Sequence, residues 1–122
     1  MEKQIKFLRG ERGPIDILSD LCVAFQTTYL EFKSRRENRK STDTDSLICQ
    51  AFVLIMKKTS TQSMKEIGKH IERSKSQVSI FNDKGNRLLI SDHIFARNWQ
   101  MTVAKSCPEG LLLFTKIINK ND

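Results

Sequence analysis

Ser63-Met64-Lys65-Glu66-Ile67-Gly68-Lys69-His70-Ile71-Glu72-Arg73-Ser74-Lys75-Ser76-Gln77-Val78-Ser79-Ile80-Phe81 decides how this chain folds. Ile67 and Ile71, four apart, mark the inner face of one short helix, and Val78 and Phe81, three apart, mark that of a second. Ser63 and Ser74 stand three residues before Glu66 and Gln77. That is the Ser-x-x-Glu/Gln spacing of a capping box, in which a hydroxyl and a side chain satisfy otherwise unpaired helix N–H groups. Gly68 costs a helix interior ~1 kcal/mol relative to alanine, so its position calls for a packing reason: a second helix crossing close over it. The stretch predicts helices over about 63–72 and 75–89, crossing through a tight turn.

Upstream, Leu47, Ile48, Ala51, Phe52, Leu54 and Ile55 cover much of the circumference of a helix over about 44–58, which should be central and buried. It follows a polar break, Ser41 to Asp45, rich in cap residues. Asp43 and Asp45 suit a cap and a solvated loop better than a metal site. Before that, Pro14 fits the first turn of a helix. Ile15, Leu18, Leu21, Cys22, Phe25, Tyr29 and Phe32 then recur at spacings of three and four, predicting one helix over 14–36. Its end, Arg35 to Lys40, is either a solvated helix terminus complementing the dipole or a phosphate contact. Residues 1–13 are basic; Ile5 and Phe7 alternate with charges, so residues 3–8 form a short strand or a flexible arm.

Downstream, Asp92 can cap a helix over 92–105 carrying Phe95, Trp99 and Val103, with Trp99 either core or an interface anchor. Ser106 and Glu109 form a third capping-box match, opening a helix over 107–119. The cluster Asn82-Asp83-Lys84-Gly85-Asn86 marks a place where the second helix of the pair could stop, leaving Arg87-Leu88-Leu89-Ile90 as a wing strand. The expected fold is therefore one all-α domain, residues 1–122, of about six helices. Its core is 44–89, the helices 14–36 and 92–119 are packing or dimerisation extensions, and a small β wing after Gly85 is the variant.

The 122 residues suit a single core, and the formal net charge is +7. Such a balance attracts polyanions, nucleic acid first and anionic membrane second. No stretch approaches the ~20 apolar residues of a membrane span, and Met1 to Lys6 lacks the apolar run of a secretory signal, so a cytoplasmic location and no membrane partner are expected. Cys22, Cys49 and Cys107 are widely spaced, without a Cys-x-x-Cys pair, and read as reduced thiols, the first two buried. His70 and His93 lie in different elements with no third ligand, so no metal or other cofactor is expected. No Gly-x-Ser-x-Gly, Walker loop or dinucleotide fingerprint is present, which favours a binder over an enzyme.

The outward positions of the second helix carry the functional reading. Lys75, Ser76, Gln77, Ser79 and Asn82 are small or amide-bearing, with one base, as a helix entering the major groove requires. Gln77 or Asn82 can pair with adenine in two-pronged fashion, and Ser76 or Ser79 can reach a base or a phosphate. Lys65, Lys69, Arg73, Ser74, Lys84 and Arg87 flank them as candidate phosphate contacts. The bland alternative is an ordinary polar helix face with tidy caps.

With Ile67, Gly68, Ile71, Val78 and Phe81 at their spacing, residues 63–81 resemble the helix-turn-helix superfamily: the tri-helical DNA readers of phage repressors, sigma-factor region 4 and ParB-type partition proteins. The resemblance covers roughly 20 residues. It departs at the turn, where the usual glycine is Glu72 and the usual apolar residue is Arg73, so a residue suited to left-handed backbone is missing. The resemblance implies double-stranded DNA as partner and transcriptional regulation as function. A centromere-binding adaptor for plasmid partition, or a protein-interaction module on the same scaffold, are the rivals. Leu111 to Phe114, Ile117 and Ile118 are more apolar surface than a small monomer hides, which points to a homodimer. The Lys-, Ile- and Asn-rich composition suits a bacterial, plasmid or phage origin.

Overall fold

The computed structural model describes residues 13–106, all of whose regular elements are helices. The expected strand at 3–8, the helix at 107–119 and Cys107 lie outside the described residues. In chain order the helices are α1 (Pro14–Ala24), α2 (Tyr29–Glu37), α3 (Asp43–Thr59), α4 (Met64–Ile71), α5 (Lys75–Ser91) and α6 (His93–Ser106).

α3 is the hub, as its all-round apolar pattern predicts. Ile48 and the run Ala51 to Met56 are completely buried. It packs most extensively on α5 and also against α1, α4 and α6, while α1 lies along α6. Trp99, from α6, is fully buried among these helices, so it belongs to the core.

The single helix expected over 14–36 is two. The chain breaks after Ala24, with Gln26 at φ 66°. The N–H groups of Gln26 and Thr27 close the end of α1 on the carbonyls of Val23 and Cys22, and Thr28 caps α2 by accepting from the Glu31 N–H at 3.1 Å. This is a Schellman closure, and it keeps Phe25, Tyr29 and Phe32 on the core side. The apolar spacing therefore runs unbroken through a real break.

The wing is also corrected: Arg87 to Ile90 are helical, because α5 continues through Gly85 to Ser91. An added Cβ at Gly85 would lie 2.9 Å from Leu54 Cδ1 and 3.2 Å from the Gln50 carbonyl oxygen. Glycine is there for close helix–helix approach, not to end the helix.

Cap residues set the remaining boundaries. Thr42 and Asp45 form a reciprocal capping box at the start of α3, and Ser63 and Glu66 do so for α4. Asp92 ends α5 and starts α6, with its Oδ1 accepting from the Ile94 and Phe95 N–H groups at 3.0 Å.

The basic stretch at the end of α2 divides in two. Arg35 is bound to buried Asp45 through Nε at 2.7 Å and Nη2 at 2.8 Å. Arg36 is itself buried. Neither is free for a phosphate, whereas Arg39 and Lys40 are exposed. Burial alone would raise the Asp45 pKa, but the Arg35 and Thr42 hydrogen bonds outweigh it and hold the carboxyl below its ordinary range. Cys22 and Cys49 are buried free thiols, pushed up by desolvation to about 12 and about 11.

Candidate nucleic-acid interface

α4 and α5 are joined by three residues, Glu72, Arg73 and Ser74. The close approach that Gly68 implies is present. A Cβ on it would lie 2.3 Å from the Arg73 carbonyl oxygen and 3.1 Å from Val78 Cγ2. The turn closes as a Schellman motif, with Arg73 N–H donating to the Gly68 carbonyl at 2.9 Å. Its left-handed residue is Glu72, at φ 54° and ψ 49°. The left-handed position, for which the sequence offers no glycine, is thus taken by a glutamate in a disfavoured backbone region.

The Glu72 carbonyl is held from two sides. Arg36 Nη2 donates to it at 2.9 Å and Arg73 Nη1 at 3.1 Å. Ser74 then starts α5 by accepting from the Gln77 N–H at 3.2 Å. The expected reciprocal bond from the Gln77 side chain does not form, so that amide remains on the exposed surface.

α5 is fixed by its inner residues Val78, Phe81, Gly85 and Leu89, all buried. Its exposed residues run along the opposite side. Lys75, Ser76, Gln77, Ser79, Lys84 and Arg87 are all exposed, and Lys65 and Lys69 are exposed on α4. Ser74 is exposed, with its hydroxyl used as the cap. Arg73 is half-buried and turned onto Glu72, which makes it a shared structural and surface group. Asn82 is half-buried at the edge of the packed face, and its carbonyl accepts from Asn86 Nδ2 at 2.9 Å. It is the weakest of the expected base-contacting residues.

Two residues on the exposed face were not among the candidates. Ile80 is 45% exposed, one turn from Ser76, and an apolar group there can meet a thymine methyl. Asp83 follows on the same side and is exposed. The helical period would have found both, since 76, 80, 83 and 87 share one stripe.

The electrostatics of the helix starts differ. α1, α2, α3 and α4 each carry an acidic residue in the first turn, and α6 is capped by Asp92. α5 has a serine cap and no acidic residue in its first turn. Its positive dipole end is therefore uncompensated by its own side chains, and Lys75 adds to it.

His70 is part-buried, with Nε2 3.1 Å from Gln62 Oε1 and its ring edge-on to Phe52. Among the described residues no group of three or more His, Cys, Asp or Glu is placed to hold a metal. None of the described helices is long and apolar enough to cross a membrane. In comparisons with known protein families, with curated proteins and with solved structures, nothing matches this chain.

Proposed function

We propose that this chain is a sequence-specific binder of double-stranded DNA, a helix-turn-helix transcriptional regulator that reads the major groove with the start of α5. The observation that carries the reading is the outer face of that helix. Lys75, Ser76, Gln77 and Ser79 stand exposed on a helix that Val78, Phe81, Gly85 and Leu89 hold from behind, and its first turn carries no acidic residue. Base edges need such short polar or amide groups at close approach. Phosphates need the bases that flank them: Lys65 and Lys69 on α4, Lys84 and Arg87 further along α5. Asp83, exposed beside Lys84 and one turn before Arg87, weakens phosphate contact there relative to Lys65 and Lys69, and base reading is assigned to the start of α5, Lys75 to Ile80.

The chain acts as a homodimer, which places two reader helices ~34 Å apart on a palindromic site. The ground for pairing is the apolar sequence Leu111 to Phe114, Ile117 and Ile118; on the described surface, Val23 and Met101 are 60% and 48% exposed, in a groove between α1 and α6 that Gln26, Arg97, Asn98, Thr102 and Lys105 also line.

The test is selection from a pool of random duplexes, repeated at several salt concentrations. Wild type should enrich one motif. Gln77→Ala should relax it at a single position, whereas Lys75→Ala should weaken all duplexes alike and lower the salt slope by about 1. If no motif emerges and neither substitution changes binding, the reading is wrong.

A further inference from the structure

We infer that Arg36 is a positioning residue for α5: by donating to the Glu72 carbonyl it straps the left-handed turn that aims the reader helix. The inference rests on the DNA-binding reading for its consequence, though not for its geometry.

α2 is a peripheral helix whose only buried residues are Phe32 and Arg36. The Arg36 side chain passes over the Phe32 ring, 5.6 Å from its centroid, and reaches inward to the turn. Its described hydrogen bonds go to the Glu72 carbonyl and, at 3.8 Å, to Cys49 Sγ. Neither is a carboxylate. A buried guanidinium without a carboxylate is costly, and an apolar side chain of similar volume commonly serves a fold as well or better. The strong polar contact that Arg36 makes is the one at the turn.

That contact lies at a lever point. Glu72 occupies a backbone region that non-glycine residues disfavour. The oxygen held by Arg36 belongs to the peptide joining Glu72 to Arg73. The next carbonyl, of Arg73, rests where a Cβ on Gly68 would be. Two successive peptide planes are thus set, one by buried Arg36 with the half-buried Arg73 guanidinium on the same oxygen and one by the Gly68 surface, and Ser74, the cap of α5, follows directly. A small rotation at Glu72 swings the start of α5, where Lys75, Ser76 and Gln77 must meet base edges.

Arg36→Met and Arg36→Lys, each alone and with Glu72→Gly, test this in the full chain. Two quantities are read: the ratio of affinities for the selected motif and for random duplex at fixed salt, and amide hydrogen exchange at Arg73. Arg36→Met should lower the ratio by roughly tenfold, the worth of one well-made base contact, and speed exchange at Arg73. Adding Glu72→Gly should restore both, because glycine takes the left-handed conformation without a strap. Arg36→Lys should lie between. A variant that loses stability but keeps the ratio and the Arg73 protection would show Arg36 to be structural only and overturn the inference. If Arg36→Met does not fold, Arg36→Lys and its Glu72→Gly pair carry the same comparison. If wild type selects no motif, the DNA reading fails, and exchange at Arg73 alone still decides whether Arg36 straps the turn.

Discussion

Gly68→Ala sets two effects against each other. Helix propensity favours alanine by ~1 kcal/mol. The added Cβ, however, would lie 2.3 Å from the Arg73 carbonyl oxygen, whereas carbon–oxygen contacts settle at about 3.3–3.6 Å. The turn must therefore retreat by about 1 Å, in the direction that lengthens the bond from Arg73 N–H to the Gly68 carbonyl. Losing that bond costs about 1 kcal/mol, and the forced overpacking a further ~1–3 kcal/mol. After the propensity gain is subtracted, the net effect is a destabilisation of about 1–3 kcal/mol. Urea unfolding followed by the fluorescence of Trp99, the one tryptophan and fully buried, reads this directly. The midpoint should fall by roughly 1 M with an unchanged slope. Gly13→Ala is the control, because its Cβ would meet nothing closer than Asp16 Oδ2 at 4.0 Å. A rise in the Gly68→Ala midpoint, the sign of propensity acting alone, would show that α5 does not cross close over α4.

Two further outcomes follow from the titrating groups. Asp45→Ala removes both Arg35 bonds and the acceptor for the Thr42 N–H, and should cost about 3 kcal/mol by thermal melting. The wild-type carboxyl is held below its ordinary pKa. Its stabilisation is therefore present above the unfolded value of ~3.9 and is lost as pH falls through the folded one; Asp45→Ala should show a flatter acid limb. Burial holds His70 below its ordinary pKa, with Glu66 acting the other way. Its neutral ring is compatible with the fold above an unfolded pKa of ~6.5, and stability declines as pH falls toward the folded value. Urea midpoints at pH 7.5 and 5.5 should differ less in His70→Gln than in wild type, and equal differences would contradict this.

The core was legible because period and caps agree. Ile67, Gly68, Ile71, Val78 and Phe81 fall where their spacing puts them, and the all-round apolar helix is the buried one. The break at 25–28 was hidden because a Schellman turn leaves the flanking apolar residues on one side. The signal was nevertheless present, since Thr28 and Glu31 repeat the cap spacing read at Ser63. Gly85 misled because glycine in a polar cluster reads as a stop, and only the neighbouring α3 shows that close packing is its reason. On the candidate site, exposure along α5 was readable from the helical period. The fates of Arg35, Arg36 and Asp45 were not: a charge run carries no sign of which members find partners ten or thirty-six residues away.

The inner and outer sides of α5 answer to different demands. Val78, Phe81, Gly85 and Leu89 hold the helix in place, while Lys75, Ser76, Gln77 and Ser79 are exposed opposite them. Randomising those four outer positions among helix-compatible residues, with glycine and proline left out, should leave folding nearly untouched, because exposed substitutions outside the core usually move stability by no more than about 0.5 kcal/mol. On the proposed DNA-binding reading, preference for a target would therefore drift, or be reprogrammed from a library, without a compensating change elsewhere among the described residues.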